Sequence, residues 1–271
     1  MSELAQAGGL AYREAGRPSD PVALLVHGYP ESSYMWQQAL PALAAAGWRA
    51  LAPDLPGYGD SASPGPARGS WEDHIEALER FARELELGPV ALVTHDWGVA
   101  IGLRWACDHP GAASALVISD GGFFSDRRWH DLANVMRTPG EGEQLIRAYT
   151  EEGFAAAMRA LSSGMSDSAI AEYWKAFADD ERRLAQLTLY RSGEFDKLVP
   201  YEGRLAQLEL PTLILWGELD RFAGVKMAYR FHEELPGSEL QVIAGAGHFV
   251  WDDEPERAAG ALVEFLTRRE R

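Results

Sequence analysis

The 271 residues are 46% hydrophobic and 24% charged, a globular composition, and the length allows one α/β unit with an insertion and a sizeable core. A formal charge of −16 argues against a nucleic-acid or anionic-membrane surface, which would need clustered Lys and Arg, and it disfavours polyanionic substrates. The single cysteine, Cys107, excludes an internal disulfide, and no stretch approaches the roughly 18 apolar residues of a membrane-spanning helix.

Val22-Ala23-Leu24-Leu25-Val26 is a continuous apolar run ending at His27-Gly28-Tyr29-Pro30, which predicts a buried strand entering a loop. Helical spacing runs from Gln37 to Ala46 and stops at Gly47, a C-cap signal. Arg49 to Pro53 reads as the next strand, followed by the turn-rich loop from Asp54 to Ser61. Trp71 to Leu87 is a long amphipathic helix. The apolar run ending Val93-Thr94 breaks abruptly at His95-Asp96-Trp97-Gly98, and a helix follows from Val99 to Ala106, with Cys107 as a small packing residue. Ala115 to Ser119 is another buried strand. After Gly121-Gly122 the pattern changes: Phe123 to Leu198 has helix-like apolar spacing, dense charge and no clear buried strand. From Pro211 the alternation of apolar strands and helices resumes, with strands at Thr212–Trp216 and Leu240–Ile243 and helices at Val225–Leu235 and Pro255–Arg268.

Buried strands alternating with helices predict an α/β fold with a mostly parallel, doubly wound sheet. Residues 1–121 and 199–271 would form the core domain. Residues 122–198 would form a helical cap inserted after a central strand, at the carboxyl end where ligand sites lie. The opening Met-Ser-Glu-Leu-Ala-Gln has neither a basic segment nor an apolar one, so a cytoplasmic location is expected.

Three loops that follow predicted strands point to one edge of the sheet. The first displays Asp96 at a strand–turn–helix junction that commonly carries a serine nucleophile. A carboxylate there predicts attack on an sp3 carbon and an alkyl-enzyme ester. The second, Gly217-Glu218-Leu219-Asp220, offers an acid, and the third, Gly245-Ala246-Gly247-His248, a histidine. In this order Asp96 attacks, His248 deprotonates the water that cleaves the ester, and Asp220 fixes the His tautomer and stabilises the imidazolium. The backbone N–H groups of Tyr29 and Trp97 are the candidate oxyanion hole. His27 and His95 read as structural loop residues.

His27-Gly28-Tyr29-Pro30-Glu31-Ser32-Ser33-Tyr34-Met35-Trp36, Asp54-Leu55-Pro56-Gly57-Tyr58-Gly59-Asp60-Ser61, His95-Asp96-Trp97-Gly98 and Gly247-His248-Phe249 resemble the haloalkane dehalogenase and epoxide hydrolase branch of the α/β-hydrolases. The likeness covers nearly the whole chain. It implies the α/β-hydrolase fold, an Asp nucleophile, a His base, a helical cap, and no metal or organic cofactor. It also gives the triad acid a second candidate. Fluoroacetate dehalogenases and some haloalkane dehalogenases supply the acid from a position matching Asp120, whereas Asp220 sits at the more widespread location and is preferred. The other reading of Asp120 is a cap-hinge residue bonding backbone N–H groups.

Halide and epoxide chemistry need different donors. Trp97 offers an indole N–H and occurs in both families. Haloalkane dehalogenases generally add an Asn after the first His-Gly, where this chain has Tyr29, or a second Trp in the cap. The stretch from Glu172 to Gly193 is similar to the cap of fluoroacetate dehalogenases, in which residues matching Trp129 and Tyr190 help hold the halide. Epoxide hydrolases also place a catalytic Tyr before Arg at the Tyr190 position. The arginines that bind the fluoroacetate carboxylate would fall at Trp97 and Ala100, so the expected substrate is a small, neutral, mostly apolar molecule reacting with water.

Tyr149 is the candidate first tyrosine of an epoxide pair and, with Phe249, a candidate pocket residue. Tyr173 and Trp174 read as cap core. The readings that follow are hydrolytic dehalogenation of a neutral haloalkane; epoxide hydrolysis with Tyr190 as proton donor; and a ligand-binding protein that keeps the fold without turnover. No nucleic-acid or membrane partner is expected, and the chain would be a monomer or homodimer.

Overall fold

An apolar strand buries its side chains only if its backbone groups find partners, and here they do so in a single sheet. The computed structural model describes residues 4–268, so the first three residues of the opening lie outside it. Its strands in chain order are β1 (Ala5–Ala7), β2 (Leu10–Ala15), β3 (Val22–Val26), β4 (Arg49–Pro53), β5 (Val90–His95), β6 (Ala113–Ser119), β7 (Thr212–Gly217) and β8 (Glu239–Ile243). Across the eight-stranded sheet the order is β1-β2-β4-β3-β5-β6-β7-β8. From β4 to β8 neighbouring strands are parallel; β1 and β2 pair antiparallel at one edge. Successive connections from β3 run to opposite sides, so the loops after β3 and β5 flank the point where strand order reverses. A crevice opens there in sheets of this kind.

The predicted strands all form, because β5 and β7 are buried on both faces and must be apolar throughout. The edge strands β1 and β2 carry no such signal. Half-covered strands have mixed polarity, as Leu10-Ala11-Tyr12-Arg13-Glu14-Ala15 does. The first predicted helix, Gln37 to Ala46, forms as α1 (Ala39–Ala45), preceded by a short 3-10 turn at Ser33–Trp36 and ending before Gly47 at φ +90°. Helix α2 (Trp71–Glu84) starts on a reciprocal Ser70–Asp73 capping box and stops short of Leu87, where Glu86 turns left-handed. Helix α3 (Trp97–Asp108) follows the Asp96 turn and buries Cys107, whose thiol burial pushes up to about 11.

Between β6 and β7 the chain forms α4 (Asp131–Arg137), α5 (Glu141–Ala148), α6 (Glu151–Leu161), α7 (Asp167–Trp174) and α8 (Asp180–Ser192). The starts of α6, α7 and α8 are fixed by Thr150, Ser166 and Asp179, each accepting a hydrogen bond from the amide three residues on. These helices share an aromatic core: Trp174 stacks on Phe177 at 5.4 Å, and Phe154 packs against both. Tyr173 is fully buried and donates to Asp252 at 2.9 Å, tying the cap to the core. Arg182 reinforces the tie by donating to the carbonyls of Gly57 and Ser61. Among the described residues no helix is long and apolar enough to cross a membrane.

Candidate active site

The β5–α3 junction turns so sharply that Asp96 takes φ +48° and ψ −116°, a conformation that non-glycine residues rarely adopt. The turn requires close approach. A Cβ on Gly98 would lie 2.2 Å from the Val26 carbonyl oxygen, and one on Gly28 would lie 2.4 Å from Asp96 Cβ. The carboxylate so displayed is split between two partners. Its Oδ1 accepts the Tyr29 backbone N–H at 2.8 Å, and its Oδ2 lies 3.6 Å from His248 Nε2. The Trp97 N–H opens α3 and has no intrahelical acceptor. Burial alone would raise the Asp96 pKa, but the nearby His248, aided by the Tyr29 N–H, holds it well below the usual carboxylate range. The group is ionised at neutral pH.

His248 Nδ1 donates to Asp220 Oδ2 at 3.0 Å. Asp220 Oδ1 accepts the N–H groups of Phe222 and Ala223 at 2.7 and 2.9 Å, which locks the acid in place. Burial pulls the His248 pKa down, yet the two flanking carboxylates, Asp220 foremost, raise it well above the ordinary imidazole value. Asp120 stands beside Asp220 and not against the His248 ring. It is fully buried, its Oδ1 accepts the Gly217 N–H at 2.9 Å, and its Oδ2 has no hydrogen-bond partner. Burial and the neighbouring Asp220 charge push its pKa well above the carboxylate range. Asp120 therefore ties the end of β6 to β7, while Asp220 is the acid in contact with His248.

Both loop histidines are structural. His27 donates from Nδ1 to the Gly28 carbonyl at 2.8 Å and accepts the Leu55 N–H on Nε2 at 2.9 Å, so its proton position is fixed. His95 is enclosed, with Nδ1 3.2 Å from Ser119 Oγ and Nε2 3.4 Å from Glu31 Oε2; burial, then the charge of His248, lowers it to about 3.

Glu31 and Asp252 are buried acids behind the site that sequence reasoning missed, because nothing local distinguishes them from surface carboxylates. Burial pushes Asp252 up to about 7. A carboxyl raised from about 3.9 in the unfolded chain contributes stability that is complete below that value and lost as pH rises through the folded pKa. The expected result is that Asp252→Asn, neutral at every pH, shows a shallower fall in Tm between about pH 4 and 7 than the parent. Parallel Tm–pH curves from scanning calorimetry would contradict this.

A cavity of about 290 Å³ lies over Asp96 and His248. Tyr149, Tyr190 and Phe249 line it, joined by Phe154 and Met158 of α6 and by Phe222 beside Asp220. The i, i+4 spacing of Phe154 and Met158 marks an apolar helix face, but a face on a cavity and a face on a core read alike. A second, smaller recess opens from Asp96 on the Trp97 side, lined by Trp97, Trp129, Tyr190, Phe195 and Arg127. The rings of Trp97, Trp129 and Tyr190 meet with centroids 5.4 to 5.7 Å apart. Gly193 makes this possible, since a Cβ there would stand 2.5 Å from the Trp97 ring. Trp174 and Tyr173 take no part and are cap core.

Residues 21–255 match the family described as alpha/beta hydrolase fold. A haloalkane dehalogenase of Psychrobacter cryohalolentis is 29% identical over 275 residues, covering 93% of this chain and 85% of that protein. The crystal structure of a haloalkane dehalogenase loop variant from Bradyrhizobium elkanii superposes with a TM-score of 0.83 at 27% identity, over 96% of this chain and 93% of that one. An epoxide hydrolase from Vigna radiata shares the fold, with a TM-score of 0.80 at 23% identity over 97% and 96% of the two chains.

Proposed function

The chain belongs to the alpha/beta hydrolase fold family, in its haloalkane dehalogenase and epoxide hydrolase branch, and we propose that it removes halide from a neutral haloalkane through an ester on Asp96. The observation that carries this reading is the recess bounded by Asp96 in which the Trp97, Trp129 and Tyr190 rings converge. Each of these rings carries an N–H or O–H donor, which supports the recess beside the nucleophile as the place where a halide would depart.

Asp96 is already ionised and needs no base to attack. Its Oδ2 bonds to the carbon, the carbon–halogen pair leaves with the halide, and Oδ1 stays on the Tyr29 N–H. The ester is neutral, so His248 loses one of the two anions that raised its pKa and gives up its proton more readily. Neutral His248 then takes a proton from water as the water oxygen attacks Asp96 Cγ. The oxyanion that forms is held by the Tyr29 and Trp97 N–H groups. Its collapse expels the alcohol, which takes the proton from His248, while Asp220 stabilises the imidazolium between the two transfers. The apolar lining of the larger cavity, Phe154, Met158 and Phe249 included, supports a neutral substrate.

Epoxide hydrolysis is the second reading, favoured by Tyr149 and Tyr190 lining one cavity above Asp96. Here Asp96 opens the ring and a tyrosine O–H supplies the proton. Replacing His248 with Phe stops ester cleavage and separates the two by intact mass. A bromoalkane should leave an adduct of the substrate mass minus HBr; an epoxide should add its whole mass. No adduct from either would overturn both and leave a non-catalytic binding protein.

A further inference from the structure

Arg127 is the one residue of the recess wall with a permanent positive charge. Its guanidinium lies against Gly122, where a Cβ would be 2.4 Å from Nη1, and 5.7 Å from the Phe195 ring centroid. The side chain makes no ion pair among the described residues, and its Nε is enclosed without a hydrogen-bond partner. Arg127 is half-buried, and a guanidinium whose Nε is enclosed is normally paired, because an uncompensated charge against an apolar wall is costly. The neighbours here are aromatic rings, with Asp96 across the recess. The recess volume is about 20 Å³, room for one occupant the size of a water molecule. That is room for a single ion such as a halide.

We infer that Arg127 is the counter-charge of a one-ion halide site in this recess, acting with the donors of Trp97, Trp129 and Tyr190. The inference rests on the dehalogenase reading and adds a residue to it. In the first half-reaction the negative charge moves from the Asp96 carboxylate to the departing halide. The carboxylate that faced Arg127 becomes a neutral ester, and the halide takes its place as the anion nearest the guanidinium. Charge in the recess is therefore conserved across the step, and Arg127 stabilises the halide as it forms. A run such as Asp126-Arg127-Arg128 ordinarily reads as a solvated loop; folding instead turns the middle residue inward.

The test uses bromide and chloride as probes, with Trp97 and Trp129 as built-in reporters of fluorescence quenching. Arg127→Met keeps the length of the side chain and removes its charge. It should weaken halide binding tenfold or more, an effect of about the size of one charge-assisted hydrogen bond, and slow the burst of halide release from a bromoalkane. Arg127→Lys should recover much of the affinity, which a purely packing role would not produce. Wild-type turnover of bromoalkane with unchanged halide affinity and burst rate in a folded Arg127→Met protein would overturn the inference while leaving the dehalogenase reading intact. Absence of bromoalkane turnover in the wild type would defeat that reading first. Selective loss of activity on bromoacetate, with halide affinity preserved, would assign Arg127 to a substrate carboxylate and reject the halide site.

Discussion

Asp220→Asn is expected to release one equivalent of halide at close to the wild-type rate and then stall. Attack by Asp96 needs no base, so the first half-reaction survives. Ester cleavage needs His248 in the correct tautomer and with its developing charge stabilised, both of which come from the 3.0 Å bond to Asp220. Removing the equivalent acid from a serine triad costs about 10⁴-fold in turnover, and a loss of that order is expected here. Asp120→Asn should stay within about tenfold of wild type, because the amide oxygen can still accept the Gly217 N–H and burial already favours the uncharged form of the native acid.

A pH profile adds a second readout. His248 must be neutral to act, so hydrolysis rises as pH passes upward through its pKa. Asp220 is the largest influence raising that pKa, so without it the acid limb should move to lower pH. Stopped-flow halide detection with both variants checks the assignment. A burst followed by a stall in Asp120→Asn, with Asp220→Asn near normal, would exchange the roles of the two acids.

The choice between these acids shows where sequence reading runs out. Asp120 and Asp220 both follow buried strands, and local pattern treats them alike. They are separated by the parallel register of β6 beside β7, which lets Asp120 accept the Gly217 N–H and leaves Asp220 free to reach His248. By contrast, β3, β5 and β7 were legible because strands covered on both faces must be apolar throughout, and the loops that follow them brought Tyr29, Asp96 and Asp220 to one edge. The lining from Phe154, Met158 and Phe222 was not legible, since an apolar side chain facing a cavity obeys the same periodicity as one facing a core. Arg127, Glu31 and Asp252 were invisible for the opposite reason: charged residues are read as solvated until tertiary structure buries them.

The second large effect is expected at a residue without a side chain. Gly28→Ala places a methyl 2.4 Å from Asp96 Cβ and 2.6 Å from its Oδ1, and the backbone of the β5–α3 junction has little room to retreat, since even a Cβ on Gly98 would stand 2.2 Å from the Val26 carbonyl oxygen. The carboxylate must rotate off the Tyr29 N–H and away from its line of attack. Displacements of about 1 Å cost roughly 100-fold in rate, so kcat should fall by at least that much in a protein that still folds. Asp96→Gly, which deletes the nucleophile, sets the floor, with a loss of about 10⁴-fold or more. The two changes should couple. Overpacking costs about 1 to 3 kcal/mol, and with glycine at 96 the Cβ, Cγ and Oδ1 atoms that the new methyl meets are gone. Gly28→Ala should therefore lower Tm clearly in the parent and by much less in the Asp96→Gly background. Equal Tm losses in both would mean that Gly28 serves the turn of its own loop, and that the crowding at Asp96 is incidental to it.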